Sequence, residues 1–214
     1  MHYAVIDEEF CNVTRAERTK VYNLKNEIIQ IGIVLLDENY DLIDEFNAYI
    51  KPEYGHIDSF IMNLTGISEK MISESEKLNE VLERLHKWLP EDAVMVSWSM
   101  HDRKQLFTET TAKQIDVSWL DDKFETWTDS QEEFGKKLGS RKAYRLEEAI
   151  FLSDVFPKGN MHDGLADAYN TAMLLKKIRT EEHFTMNVNY VKADDESIGI
   201  TYSLANLIDG LVIA

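Results

Sequence analysis

Apolar residues near the start of the chain come in short dense runs, whereas further on they recur at helical spacing. Tyr3–Ile6 is a short apolar run of the kind a central strand needs. Cys11–Asn26 is polar and aperiodic, and predicts a loop. Glu27–Leu36 predicts a strongly apolar strand, Asp37–Asp41 a hairpin turn, and Leu42–Ile50 a third strand closed by Lys51-Pro52. These three strands are expected to form an antiparallel meander. Ser59–Ser68 holds a short helical piece and the turn Leu64-Thr65-Gly66-Ile67. Leu78–Leu89 places Val81, Leu82, Leu85, Trp88 and Leu89 on one helical face, and Pro90 ends it. Ala93–Trp98 reads as a strand, Asp102–Ile115 as a helix, and Lys123–Thr128 as a fifth strand. Helices are expected over Ser130–Leu138 and Arg145–Leu152. A loop from Met161 runs into an amphipathic helix whose apolar face is Leu165, Ala168, Tyr169, Ala172, Leu175 and Ile178. Beyond it, the alternating stretch Phe184–Val191 and the acidic turn Ala193–Glu196 predict an appended hairpin or packing arm. The pattern therefore predicts an α/β domain over residues 1–182 and a C-terminal extension over 183–214.

Composition narrows the picture. With 214 residues and 44 % apolar content, the chain can bury one good core. No apolar run approaches the ~18 residues of a membrane span, so no membrane partner is expected. The N-terminal segment reads as a strand rather than a signal peptide, and the single cysteine, Cys11, suggests a reducing compartment. Both point to the cytoplasm. The net charge is −16, from 39 acids and 23 bases. That argues against tight sequence-independent binding of a long duplex, which requires many phosphates to be neutralised. One basic run stands out: Lys136, Lys137, Arg141, Lys142 and Arg145, with no acid between them. It reads either as a solvated surface or as a path for a phosphate backbone.

Candidate chemistry comes from a few acids. Strand alternation puts Asp7 and Glu9 on one side and Glu8 on the other. Alone, this reads as an acidic exit from a strand into a loop. Asp102 follows the fourth strand, where open α/β sheets place ligands, although a helix N-cap is the plainer reading. Asp167 lies early in the last helix, and His162 lies on the preceding loop with Gly164 between them.

Taken together, Asp7-x-Glu9, Asp102 after a strand, and His162 followed five residues later by Asp167 resemble the DEDDh (DnaQ-like) 3′-to-5′ exonucleases. Phe46–Pro52 (FNAYIKP), Leu64–Ser68 (LTGIS), Val96–Leu106 and Glu27–Leu36 are similar to the branch that contains the histone-mRNA 3′ exonuclease and its bacterial relatives. The likeness extends over about residues 3–180. Glu8 between the two acids, and Trp98, Met100 and His101 before Asp102, depart from commoner neighbours.

The resemblance implies a ribonuclease H-like mixed five-stranded sheet flanked by helices. It implies a 3′-to-5′ exonuclease acting on single-stranded nucleic acid 3′ ends, RNA more than DNA, and releasing nucleoside 5′-monophosphates. Asp7, Glu9, Asp102 and Asp167 would hold two Mg2+ or Mn2+ ions, with Asp7 bridging them, and His162 would act as general base. Phe10, Leu64 and Thr65 match positions that contact the terminal nucleotide in relatives. An exodeoxyribonuclease of proofreading or repair type, and a regulatory binding protein that keeps the fold, are the alternatives.

Overall fold

Side chains alternate along a strand, and here the alternation sorts the core into two layers on either side of one sheet. The computed structural model describes residues 1–184 and residue 187. In chain order its elements are β1 (His2–Val13), α1 (Arg15–Arg18), β2 (Asn26–Leu36), β3 (Leu42–Tyr49) and β4 (Gly55–His56). There follow α2 (Ser59–Thr65), α3 (Glu69–Ile72), α4 (Leu78–Trp88), β5 (Ala93–Ser97) and α5 (His101–Lys113). The chain continues with α6 (Asp121–Thr126), β6 (Thr128–Asp129), α7 (Ser130–Lys137), α8 (Leu146–Leu152) and α9 (Gly164–Thr180). The sheet order is β3-β2-β1-β5-β6, with β4 alongside β1. Strands β1, β2 and β3 pair antiparallel, and β5 joins β1 in parallel. This is the expected mixed α/β topology: five strands along the path and a two-residue sixth. Among the described residues no helix is long and apolar enough to cross a membrane.

One face of the sheet carries Ala4, Ile6, Ile31, Ile33 and Leu35, covered by Val81, Leu82 and Leu85 of α4 and Leu106 of α5. The other carries Val5, Val34, Leu36 and Val96, covered by Ala168, Ala172 and Leu175 of α9. The β1–β2 register pairs Tyr3 with Leu36, Val5 with Val34, Asp7 with Gly32 and Glu9 with Gln30. The α9 face thus begins as apolar rungs and ends as polar ones. At Gly32 the first turn of α9 lies directly on the strand. A Cβ there would meet the Leu165 nitrogen at 2.2 Å and the Gly164 carbonyl carbon at 2.3 Å, so no larger residue allows this approach.

Several elements differ from the sequence reading. β1 does not stop at Ile6 but runs to Val13, so Asp7–Phe10 lie within a paired strand, with a register shift between Glu9 and Phe10. The segment 11–26 is therefore strand, then the single helical turn α1, then loop. The fifth strand is only Thr128–Asp129, and most of Lys123–Thr128 is helix, because Phe124 and Leu120 bury at helical spacing beneath α5. The short α3 is also unanticipated. Of the predicted hairpin arm, Phe184 packs edge-on against Phe134 at 5.7 Å between ring centroids; beyond Phe184, apart from Asn187, the arm lies outside the described residues.

Candidate active site

The site forms where the acidic middle of β1, Asp7 to Glu9, meets the start of two helices. Asp102 enters from α5, whose first turn follows β5 after a three-residue connection. Its Oδ1 accepts the Glu8 backbone N–H at 3.2 Å, across 94 residues of sequence. Asp167 lies one turn into α9. Its Oδ2 accepts the His162 backbone N–H at 2.8 Å, and Asp163 caps the helix by accepting the Ala166 N–H at 3.0 Å. Gln30, fully buried, holds the same helix start from below: its Oε1 accepts the Gly164 N–H at 3.0 Å, and its Nε2 donates to Asn47 at 3.1 Å.

Electrostatics follows from this crowding. Burial, then Asp102, Asp167, Glu9 and Glu8, push the Asp7 carboxyl well above its ordinary range. Burial, then Asp167, Asp102 and Asp163, push Glu9 up to about 8. Asp102 is pushed up to about 7 by burial, opposed by backbone N–H groups. Asp167 is raised by burial, and the bonds from His162 and Asn170 oppose that shift. Like charges this close favour protons or cations over bare carboxylates. The donor set is mostly carboxylate oxygen, which suits hard divalent cations such as magnesium or manganese. Ligand atoms of Glu9, His162 and Asp167 lie within 4.8 Å of one another. The residues present therefore fit a divalent metal.

Each expected residue can now be placed. Asp7, Glu9, Asp102 and Asp167 share one site, and His162, exposed at φ +63°, stands at its rim. Phe10 follows Glu9 and meets the His101 ring edge-on, 5.5 Å between centroids. Leu64 is partly exposed on α2. The Thr65 hydroxyl is engaged inside its own turn, donating to the Ile61 carbonyl at 2.9 Å and accepting the Ile67 N–H at 3.1 Å. Gln30 and Asn170 carried no sequence signal, because a polar residue within an apolar run looks like noise until its partner is known. Glu8 is 3 % exposed on the opposite face, and neither of its carboxylate oxygens has a hydrogen-bond partner among the described residues. Burial, then Asp102 and Glu109, push it well above its ordinary range.

Residues 5–175 match the exonuclease family RNase_T. ERI1 exoribonuclease 2 of Danio rerio is 27 % identical over 179 residues, covering 72 % of this chain but only 32 % of its own length. The PolC-type DNA polymerase III of Caldanaerobacter subterraneus is 38 % identical over 79 residues, which is 37 % of this chain and 5 % of the polymerase. Among solved structures, a 3′-exonuclease described for 3′-end specific recognition of the histone mRNA stem-loop superposes with a TM-score of 0.69 at 20 % identity. That match covers 87 % of this chain and 66 % of the other. The chain thus spans about a third of the exoribonuclease it matches.

Proposed function

Because the chain belongs to the DEDDh 3′-to-5′ exonuclease family, we propose that it hydrolyses single-stranded RNA from the 3′ end and releases nucleoside 5′-monophosphates. The observation that carries this reading is the meeting of Asp7, Glu9, Asp102 and Asp167 from three separate elements, with His162 at the rim. Two bound Mg2+ or Mn2+ ions would supply an activated water and stabilise charge on the leaving 3′ oxygen.

The chain's own residues do the rest. Asp7, Glu9, Asp102 and Asp167 would hold the ions and so fix where the scissile phosphate sits. His162, on a loop rather than a helix, takes the proton of the attacking water on a ring nitrogen. Phe10 offers an aromatic edge beside Glu9 for the terminal base, and Leu64 an apolar one from α2. Thr65 contributes through the turn it closes, since its hydroxyl is already engaged. The preference for RNA is supported by the longer match to the exoribonuclease. The match to PolC-type polymerases favours a second reading, an exodeoxyribonuclease. The lone cysteine supports a reducing compartment such as the cytoplasm. We assign residues 1–182 to the nuclease domain and 183–214 to an extension.

The test is digestion of matched RNA and DNA single strands labelled at the 5′ end, with and without magnesium. Progressive shortening of labelled RNA only with the metal is expected. Immediate loss of the label as a mononucleotide would mean attack from the 5′ end and overturn the reading, as would intact strands. Equal or faster loss of DNA would decide for the second reading.

A further inference from the structure

His162 needs a defined position, yet it sits in a left-handed backbone conformation that a histidine adopts at a cost. Something must hold the loop before it. In the loop from Ser153 to Asp163, Val155 and Met161 pack against the cluster around Phe134 at its two ends, whereas Phe156 between them is 90 % exposed, so the middle of the loop needs a polar anchor. Asn170, one turn beyond Asp167 on α9, is fully buried beneath this loop. Its Oδ1 accepts the Lys158 N–H at 2.8 Å, and its Nδ2 donates to the Lys158 carbonyl at 3.3 Å. The amide thus grips both polar groups of one loop residue. The second Nδ2 hydrogen reaches Asp167 Oδ1 at 3.4 Å, and the Met161 sulfur lies 3.9 Å away. The other oxygen of Asp167 accepts the His162 N–H. Loop, carboxylate and histidine are therefore joined through one side chain.

The Lys158 ammonium also lies over the Tyr169 ring, 3.0 Å from its centroid, so the same loop residue is held from two sides. Gly159, at φ +69°, brings the loop against Ala166; a Cβ there would lie 2.7 Å from the Ala166 Cβ.

We propose that Asn170 is a positioning residue: it clamps the 158–162 loop onto α9 and so sets the position of His162 relative to Asp167. The proposal rests on the exonuclease reading for its kinetic arm, but its structural arm stands alone. A buried amide with every donor and acceptor used is costly to remove, because its partners are left unpaired. The consequence belongs to turnover rather than binding, since Asn170 is buried beneath the loop and out of reach of a nucleic acid.

The experiment compares Asn170→Ala with Thr171→Ala. Thr171 is also fully buried on α9, but its hydroxyl has no hydrogen-bond partner among the described residues, so its truncation controls for lost packing. In Asn170→Ala we expect kcat to fall roughly tenfold or more while KM stays within about twofold. Backbone amide exchange at Lys158 and His162 should accelerate at least tenfold in the metal-free protein. Thr171→Ala should change neither. Asn170→Asp keeps the side-chain shape and the acceptor for the Lys158 N–H but loses both donors. It should speed exchange at His162 and leave Lys158 protected, and it serves where the alanine variant does not fold. Unchanged exchange at His162 in both Asn170 variants overturns the clamp, as does an unchanged kcat in an active Asn170→Ala protein. A wild-type chain that degrades no nucleic acid defeats the exonuclease reading instead, and the exchange data then decide the clamp alone.

Discussion

At the scale of single residues, Asp7 carries the most conflict. It is surrounded by Asp102, Asp167, Glu9 and Glu8, and each raises its proton affinity. Replacing it by asparagine removes one repelling charge while keeping the shape. Asp7→Asn is therefore predicted to raise the melting temperature of the metal-free protein and to abolish cleavage. Calorimetry in chelator, paired with the RNA digestion, checks both halves; a variant that cleaves normally would remove Asp7 from the chemistry. His162 poses a different question, because its ring lies within ligand distance of Glu9 and Asp167. As a general base, its loss to alanine should lower turnover by roughly 10²-fold or more and leave magnesium affinity near the wild-type value. Titration of metal binding in His162→Ala separates the roles, since a matching loss of affinity would make His162 a ligand.

At the scale of elements, α5 has two ends with different work. Its first turn delivers Asp102, and its last residue, Lys113, is almost buried between acids. The ammonium lies 2.5 Å from Glu27 and 2.9 Å from Glu109, with Glu53 at 3.5 Å. Glu27 in turn accepts the N–H groups of Glu53, Tyr54 and Gly55, and Glu109 accepts that of Ile28 at 2.8 Å. This cluster ties α5 to β2 and to the approach to β4. Lys113→Ala leaves buried carboxylates without their cation, so we predict a loss of roughly 3–5 kcal/mol, read by urea unfolding. A loss below 1 kcal/mol would mean that water replaces the ammonium.

The basic run ahead of α8 looks different once folded. Lys136 pairs with Glu132 and Lys142 with Glu148, and the Lys137 ammonium donates to the Glu181 carbonyl. Among the described residues, Arg141 and Arg145 have no ion pair. Reversing these two arginines to glutamate should weaken RNA binding and flatten its salt dependence while saturated turnover changes little. An unchanged salt slope would leave the run as surface. These elements also show what was legible in the sequence. Apolar rhythm gave β2, α4, β5 and α9 nearly to the residue. It lost β1 after Ile6, because the strand there is held by pairing with β2 while its side chains are acids. It lost α6, where Leu120, Phe124 and Trp127 keep helical spacing but the helix is only six residues long, too short for a period to stand out. The carboxylates and His162 were legible as residue types at set spacings, whereas Gln30 and Asn170 acquire meaning only from partners 134 and 12 residues away.

At the scale of the whole molecule, charge governs stability. The chain carries −16 overall, and its site acids hold protons more tightly than free carboxyls do. Asp102 is pushed up to about 7 and Glu9 to about 8. Unfolded carboxyls ionise first, near pH ~4, so between that pH and about 8 the unfolded chain is favoured progressively. The metal-free protein should therefore melt at lower temperature as pH rises from about 4 to about 8, the range those shifts span. Magnesium, by binding the native state, should recover part of the loss at the upper end. Melting curves across that range, with chelator or with magnesium, test it; a metal-free protein that grows more stable towards pH 8 would contradict the clustering of the acids.

The pairing of β1 with partners from distant parts of the chain has a consequence in time. Asp7 leaves the ribosome 160 residues before Asp167, an interval of roughly 8–30 s at ordinary rates of synthesis. Until α9 has emerged and settled on Gly32, the growing polypeptide holds the first acids without the last one or its histidine. The site is therefore incomplete until then, and nascent chains stalled before residue 160 should leave nearby RNA intact.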